Sequence, residues 1–244
     1  MKKVFLFAAV MVFSAGLVSA QTGDDKNFRI PLIGEKAPSF TAETTNGTLV
    51  FPDDFGSKWK ILFSHPQDFT PVCSSEILEL ARLQKEFDNL NVKLAVISTS
   101  PLETHIQWKK ALEEVQYNGT LASKIKFPLI DDDKRLISRQ YGMIHPAISG
   151  TKSVRGVFII DPDNVIQAVY FYPMNVGRSS EELLRSVKAL QTANENHMTP
   201  SDWRAGDDLL IGIPPVTDQR TENVPDGYYK LAWFMWYEKA VAKN

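Results

Sequence analysis

Apolar positions recur along this chain in two rhythms, and the order in which the rhythms alternate predicts an architecture. Ile61-Leu62-Phe63 and Val92-Lys93-Leu94-Ala95-Val96-Ile97-Ser98 are nearly continuous apolar runs bounded by polar residues, the pattern of strands buried on both faces. Phe127-Pro128-Leu129-Ile130 reads as a further short strand. Asp131-Asp132-Asp133 closes it and leads through a turn into a helix, with Lys134-Arg135 offsetting the charge. Residues 154–160 and 165–171 flank Asp161-Pro162-Asp163-Asn164 and predict two antiparallel strands joined by a tight turn. Helical spacing begins at Pro71, recurs over residues 102–115, and returns from Ser179-Ser180-Glu181-Glu182 to about Ala193, where Leu183, Leu184, Val187 and Leu190 share one face. Ahead of all these, residues 37–51 are short and turn-rich around Asn46-Gly47, as in a small hairpin.

From Ile61 onward the order is strand, helix, strand, helix, strand, helix, strand, strand, helix. Alternation at the front with a hairpin at the back predicts one α/β domain with a mixed sheet flanked by helices, spanning residues 21–197. From residue 198 the character changes. Pro200, Pro214, Pro215 and Pro225 break the pattern, and Trp203, Tyr228, Tyr229, Trp233, Phe234, Trp236 and Tyr237 crowd a short segment. Residues 198–244 are therefore a small C-terminal extension, too short to bury so many aromatic rings alone. They pack on the main domain or on a second subunit, and a homodimer arm is the expected use.

The amino terminus changes the compartment. Lys2 and Lys3 precede a mostly apolar run from Val4 to Val18, and small residues in Val18-Ser19-Ala20 stand before Gln21. This is the layout of a signal peptide over residues 1–20, so the protein is expected to be exported, periplasmic or secreted, after cleavage rather than held in a membrane. The remaining chain is long enough to bury a full core without a structural metal. A formal net charge of −2 gives no reason to expect nucleic acid or an anionic membrane as a partner.

Candidate chemistry centres on Ser64-His65-Pro66-Gln67-Asp68-Phe69-Thr70-Pro71-Val72-Cys73-Ser74-Ser75-Glu76, which holds the chain's only cysteine. The stretch joins a strand to a helix. Thr70 stands at the N-cap, Pro71 at the first helical position, and Cys73 in the first turn, at the positive end of the helix dipole. Thiolate is the reactive form of cysteine, and helix starts favour it, so Cys73 reads as a nucleophile. It also shares helical spacing with Ile77, Leu80 and Phe87, so local chemistry leaves burial in the core equally open. His105, His145 and His197 show no metal-ligand spacing, and no cofactor is implied.

Pro66-x-x-x-Thr70-x-x-Cys73 resembles the active-site motif of the peroxiredoxins, and His65 before it is similar to their one-cysteine subgroup. The likeness extends to Arg155 at a strand start, to Gly177-Arg178 before the last long helix, and to Thr199-Pro200-x-x-Trp203-x-x-Gly206-Asp207. It runs from about Ile33 to the end and implies a thioredoxin-like fold. It also implies roles. Cys73 would attack a peroxide and become a sulfenic acid. Thr70 would offer its hydroxyl to the peroxide, Pro66 would shield the thiolate from water, and Arg155 would hold positive charge at the sulfur. His65 and Arg178 would contribute to substrate binding. Taken alone, Arg155 would be an ordinary solvent-facing strand residue; only the surrounding motif raises it.

With no second cysteine, resolution of the sulfenic acid falls to an external thiol or a partner protein. Hydrogen peroxide and organic hydroperoxides are the expected substrates. Where some one-cysteine members have a lipase-like Gly-x-Ser-x-Gly, this chain has Gly56-Ser57-Lys58-Trp59-Lys60, and no phospholipase activity is expected. A peroxide-responsive redox sensor or holdase without turnover is the alternative. A cysteine hydrolase stands well behind, since Arg155 has no task in one.

Overall fold

The computed structural model describes residues 29–240, so the expected signal peptide lies outside the described residues. Strands β1 (Phe40–Thr44) and β2 (Gly47–Phe51) form the hairpin expected around Asn46-Gly47. β3 (Trp59–Ser64) leads into α1 (Pro71–Asn89), then β4 (Val92–Ser98) and α2 (Leu102–Glu113). A two-stranded hairpin, β5 (Gln116–Tyr117) and β6 (Thr120–Leu121), follows. Next come β7 (Leu129–Asp131), α3 (Leu136–Gln140), β8 (Arg155–Ile160), β9 (Ile166–Tyr172) and α4 (Ser180–Thr192). Apart from the β5–β6 hairpin, which the apolar pattern did not show, the order read from Ile61 to α4 is the order found.

One sheet organises the domain, with strand order β2-β1-β7-β4-β3-β8-β9. β3 runs parallel to β4 and antiparallel to β8, so the sheet is mixed. The hairpin at the front is more than an appendage, because Thr44 pairs with Ile130 and makes β1 and β2 one flank of that sheet. Alternate residues of the central strands go to opposite faces. Ile61, Phe63, Val92, Leu94, Val96, Val157 and Ile159 join the side chains of α1, α2 and α4 in one core. Leu62, Ala95, Ile97, Phe158 and Ile160 join Phe51, Ile137, Tyr141 and Met143 in the other. That double burial is why β3 and β4 read as nearly unbroken apolar runs.

Residues beyond α4 form a second sheet from β10 (His197–Met198), β11 (Leu209–Ile211), β12 (Tyr228–Ala232) and β13 (Met235–Glu238), in the order β10-β11-β13-β12. This segment covers only part of its aromatic surface, in line with the expectation that it is too short to bury all of it alone. Tyr229 and Tyr237 stack with centroids 4.8 Å apart, and Trp236 and Trp203 are buried. At the β12–β13 turn Leu231, Trp233 and Phe234 stay exposed.

The second core has a clear test. Phe158 is fully buried between the edges of Tyr141 and Phe171, so Phe158→Ala should lower unfolding free energy by about 3–5 kcal/mol in urea. A loss below about 1 kcal/mol would mean that this core repacks around the gap.

Candidate active site

Three elements converge where β3 ends and α1 begins. Phe63 pairs with Val157 in the antiparallel β3–β8 register, so two residues further on Arg155 stands across from His65. Ser64 locks this end of the sheet: its hydroxyl donates to the Val154 carbonyl at 2.7 Å and accepts from the Gly156 N–H at 2.8 Å. Cys73 sits in the first turn of α1 after Pro71 at the first helical position, and its side chain is fully buried. The core reading of Cys73 is therefore met, and the nucleophile reading gains a neighbour. The residue is core, and its sulfur is also in a polar contact, because Arg155 Nη1 donates to Sγ at 3.3 Å.

Arg155 is buried, which corrects the solvent-facing expectation for that residue taken alone. A buried guanidinium needs acceptors on every side. Nη1 also donates to Glu76 Oε2 at 2.6 Å, and Nε donates to the Met174 carbonyl at 2.8 Å. Arg178 is held by the same carboxylate. Its backbone N–H and Nε reach Glu76 Oε1 at 2.8 Å, Nη2 reaches Oε2 at 2.8 Å, and Nη1 donates to the Gly156 carbonyl at 2.9 Å. The guanidinium carbon lies 3.4 Å from the centroid of the Phe63 ring. Burial lowers the Arg178 value, and the Glu76 carboxylate works in the opposite direction.

Glu76 is the residue that sequence reasoning passed over. Cys73, Glu76, Ile77 and Leu80 follow helical spacing, so Glu76 falls on the buried face of α1, where a carboxylate must be paired. A charge on an apolar stripe was the available signal.

Thr70 occupies the N-cap position with extended backbone, but its side chain does not cap the helix. The hydroxyl donates instead to the Gln67 carbonyl at 3.0 Å, closing the loop before α1. Pro66 is buried in that loop. His65 is fully buried against the Trp108 ring, with centroids 5.0 Å apart, and neither ring nitrogen has a hydrogen-bond partner. Burial first, then the electrostatic influence of His105, Arg178 and Arg155, holds His65 well below its ordinary 6.5, so it is neutral near pH 7. His105, read as scattered, comes within 6.4 Å of His65, ring to ring. Among the described residues no cluster of metal-ligating side chains is present, and no helix is long and apolar enough to cross a membrane. A cleft lined by Asn46, Phe55, Gln84, Lys93 and Lys126 lies by the far end of α1, remote from Cys73.

A sulfur held under a guanidinium at the end of such a sheet is the arrangement of a thioredoxin-like enzyme that works through a thiol. Residues 33–169 match the AhpC/TSA family, and the chain belongs to it as a peroxiredoxin, a thiol peroxidase with one cysteine. It is 44% identical to a peroxiredoxin of Methanosarcina mazei, covering 88% of this chain and 100% of that one. It is 41% identical to one of Thermotoga maritima over 86% and 98% of the two chains. Among solved structures, a yeast mitochondrial 1-Cys peroxiredoxin superposes with a TM-score of 0.74 at 34% identity over 86% of this chain and all of that one. A peroxiredoxin 6 of Arenicola marina gives 0.75 at 30% identity over 87% and 100%.

Two stability outcomes follow from the buried charges. Glu76→Gln leaves two buried guanidiniums without a counter-charge and should cost about 3–5 kcal/mol in urea unfolding; an unchanged midpoint would remove Glu76 from its structural role. The depressed His65 value makes its contribution complete above pH 6.5 and lost as pH falls from there toward the folded-state value, because protonation is favoured in the unfolded chain. A His65→Leu variant should lack that part of the acid sensitivity. Parallel stability curves for the two proteins between pH 7 and pH 5 would contradict the assignment.

Proposed function

We propose that this peroxiredoxin reduces hydrogen peroxide and organic hydroperoxides through a sulfenic acid at Cys73, which an external thiol then resolves. The observation that carries this reading is the 3.3 Å contact from Arg155 Nη1 to the sulfur of the single cysteine. The Cys73 thiolate attacks the terminal oxygen of the peroxide, an S–O bond forms as the O–O bond breaks, and the leaving oxygen departs as alkoxide or hydroxide and takes up a proton. Arg155 stabilises the negative charge as it moves from sulfur to oxygen. The Thr70 hydroxyl, released from the Gln67 carbonyl, is the donor for the bound peroxide. Pro66 keeps water from the sulfur. His65 brings an unpartnered buried imidazole to the same loop, and Arg178 sets the orientation of Glu76 and through it of Arg155.

An incoming thiol then attacks the sulfenic sulfur, expelling water and leaving a mixed disulfide that a second thiol reduces. The structure studied for the yeast mitochondrial relative concerns resolution via glutathione/thioredoxin systems, and a thiol of comparable reach is the reductant inferred for this chain. Cys73 is buried, so the first turn of α1 has to open before that thiol arrives. An N-terminus without a side-chain cap makes such opening cheaper by about 1 kcal/mol. The amino-terminal pattern supports export. A homodimer is supported by β9, an outer strand paired on one side only, and by the exposed Leu231, Trp233 and Phe234.

Stopped-flow mixing of reduced protein with hydrogen peroxide tests the reading. Cys73→Ser should abolish consumption, and Arg155→Ala should slow Cys73 oxidation about 100-fold or more. A wild-type rate no faster than that of free cysteine would sink it. Peroxide-dependent changes in assembly without turnover would favour the sensor.

A further inference from the structure

The loop between β3 and α1 carries a second set of buried titratable groups that the chemistry above does not use. Asp68 lies in the loop and His105 on α2, and both side chains are fully buried. His105 Nε2 is 3.0 Å from the Ile130 carbonyl oxygen. A carbonyl only accepts, so Nε2 carries hydrogen. His105 Nδ1 is 2.7 Å from Asp68 Oδ2, too close for two bare lone pairs, so a proton lies on one of these atoms. The contact is short but poorly aligned for a hydrogen bond, and neither atom has another partner.

The rest of Asp68 is tied down as firmly. Its Oδ1 accepts from Ser98 Oγ at 3.2 Å and lies 3.6 Å from His65 Nε2. Its backbone N–H donates to Ser100 Oγ at 3.1 Å, and the Ser100 N–H donates to Ser98 Oγ at 3.1 Å. One loop residue is thus bonded to Ser98 at the end of β4 and to Ser100, and packs against His105 of α2, which itself bonds to β7.

The next residue explains why a fastening is needed. Phe69 has φ of 54°, a left-handed conformation that is costly for an aromatic side chain. Its ring is 55% exposed, so packing does not hold it there. Such a step persists only when the chain is fixed on both sides. Helix α1 fixes one side, and Asp68 is the neighbour on the other.

We propose that Asp68 and His105 act as a positioning pair that holds residues 66–70 against β4 and α2, in the orientation in which a peroxide meets Cys73. The inference rests on the peroxidase reading and adds two residues that touch neither peroxide nor sulfur.

The test measures two rates on the same protein: oxidation of Cys73 by hydrogen peroxide and its alkylation by iodoacetamide. Alkylation reports access and thiolate, whereas fast oxidation also needs the loop in place. Asp68→Asn and His105→Phe should each lower the peroxide rate about 10- to 100-fold while alkylation stays within about twofold. The double variant should be no slower than the slower single, since the two residues act as one unit. Ser100→Ala removes a single bond to Asp68 and covers the case in which the buried variants fail to fold; it should slow peroxide about two- to fivefold. Peroxide and alkylation rates falling in parallel, multiplying losses in the double variant, or an unchanged peroxide rate in Ser100→Ala would each overturn the proposal. A fast wild type with unaffected variants rejects this pair alone, whereas a wild type no faster than free cysteine rejects the peroxidase reading with it.

Discussion

Everything around Cys73 depends on a charge balance built on Glu76. Two guanidiniums, Arg155 and Arg178, are buried beside one carboxylate, so the cluster keeps one uncompensated positive charge. That charge faces the sulfur, and a thiolate there makes the group neutral. Isolated charges are expensive in a protein interior, so this cluster is a place where negative charge would be accommodated. The same balance assigns different work to the two arginines. Arg155 divides its donors among sulfur, Glu76 and the Met174 carbonyl, whereas Arg178 grips Glu76 from three directions and rests on the Phe63 ring.

This balance exists only in the folded chain. Arg155 and Arg178 are 79 and 102 residues from Glu76, and the β3–β8 register, locked by Ser64, carries Arg155 to the sulfur. The sheet is thus the instrument that sets the site. Its central strands are buried on both faces, and a shift of register by one residue would turn Arg155 to the opposite face of the sheet.

How much of this was legible follows from which signals are local. Periodicity gave the order of the main strands and helices because burial imposes it on every residue of a strand or helix. Cys73 at a helix start was legible because Pro71 and the preceding strand are adjacent in sequence. Arg155 was not, on its own terms: a strand-end arginine is usually solvated, and only pairing with β3 buries it. Glu76 could have been read from its place on an apolar stripe. The link between His65, Asp68 and His105 could not, because α2 reaches the loop only through tertiary packing. The capping role expected of Thr70 failed for a related reason. Beside the left-handed turn at Phe69, the Thr70 hydroxyl points its hydrogen at the Gln67 carbonyl, and in that orientation its oxygen meets no N–H of α1.

Burial sets opposite demands on the two halves of a peroxidase cycle. Oxidation gains from a dry, preorganised pocket, since fixed donors act more strongly where water is excluded. Resolution by a separate thiol, as proposed above, requires the same sulfur to be reached from outside. In this chain the conflict falls on the first turn of α1, which is held from below by Glu76 and from the side by the Trp108 N–H to Ser74 Oγ at 3.3 Å, yet lacks a side-chain cap. When the thiolate becomes a neutral sulfenic acid, the positive charge left by Arg155, Arg178 and Glu76 loses its counter-charge. The electrostatic part of the grip on that turn weakens at the chemical step that requires it to open.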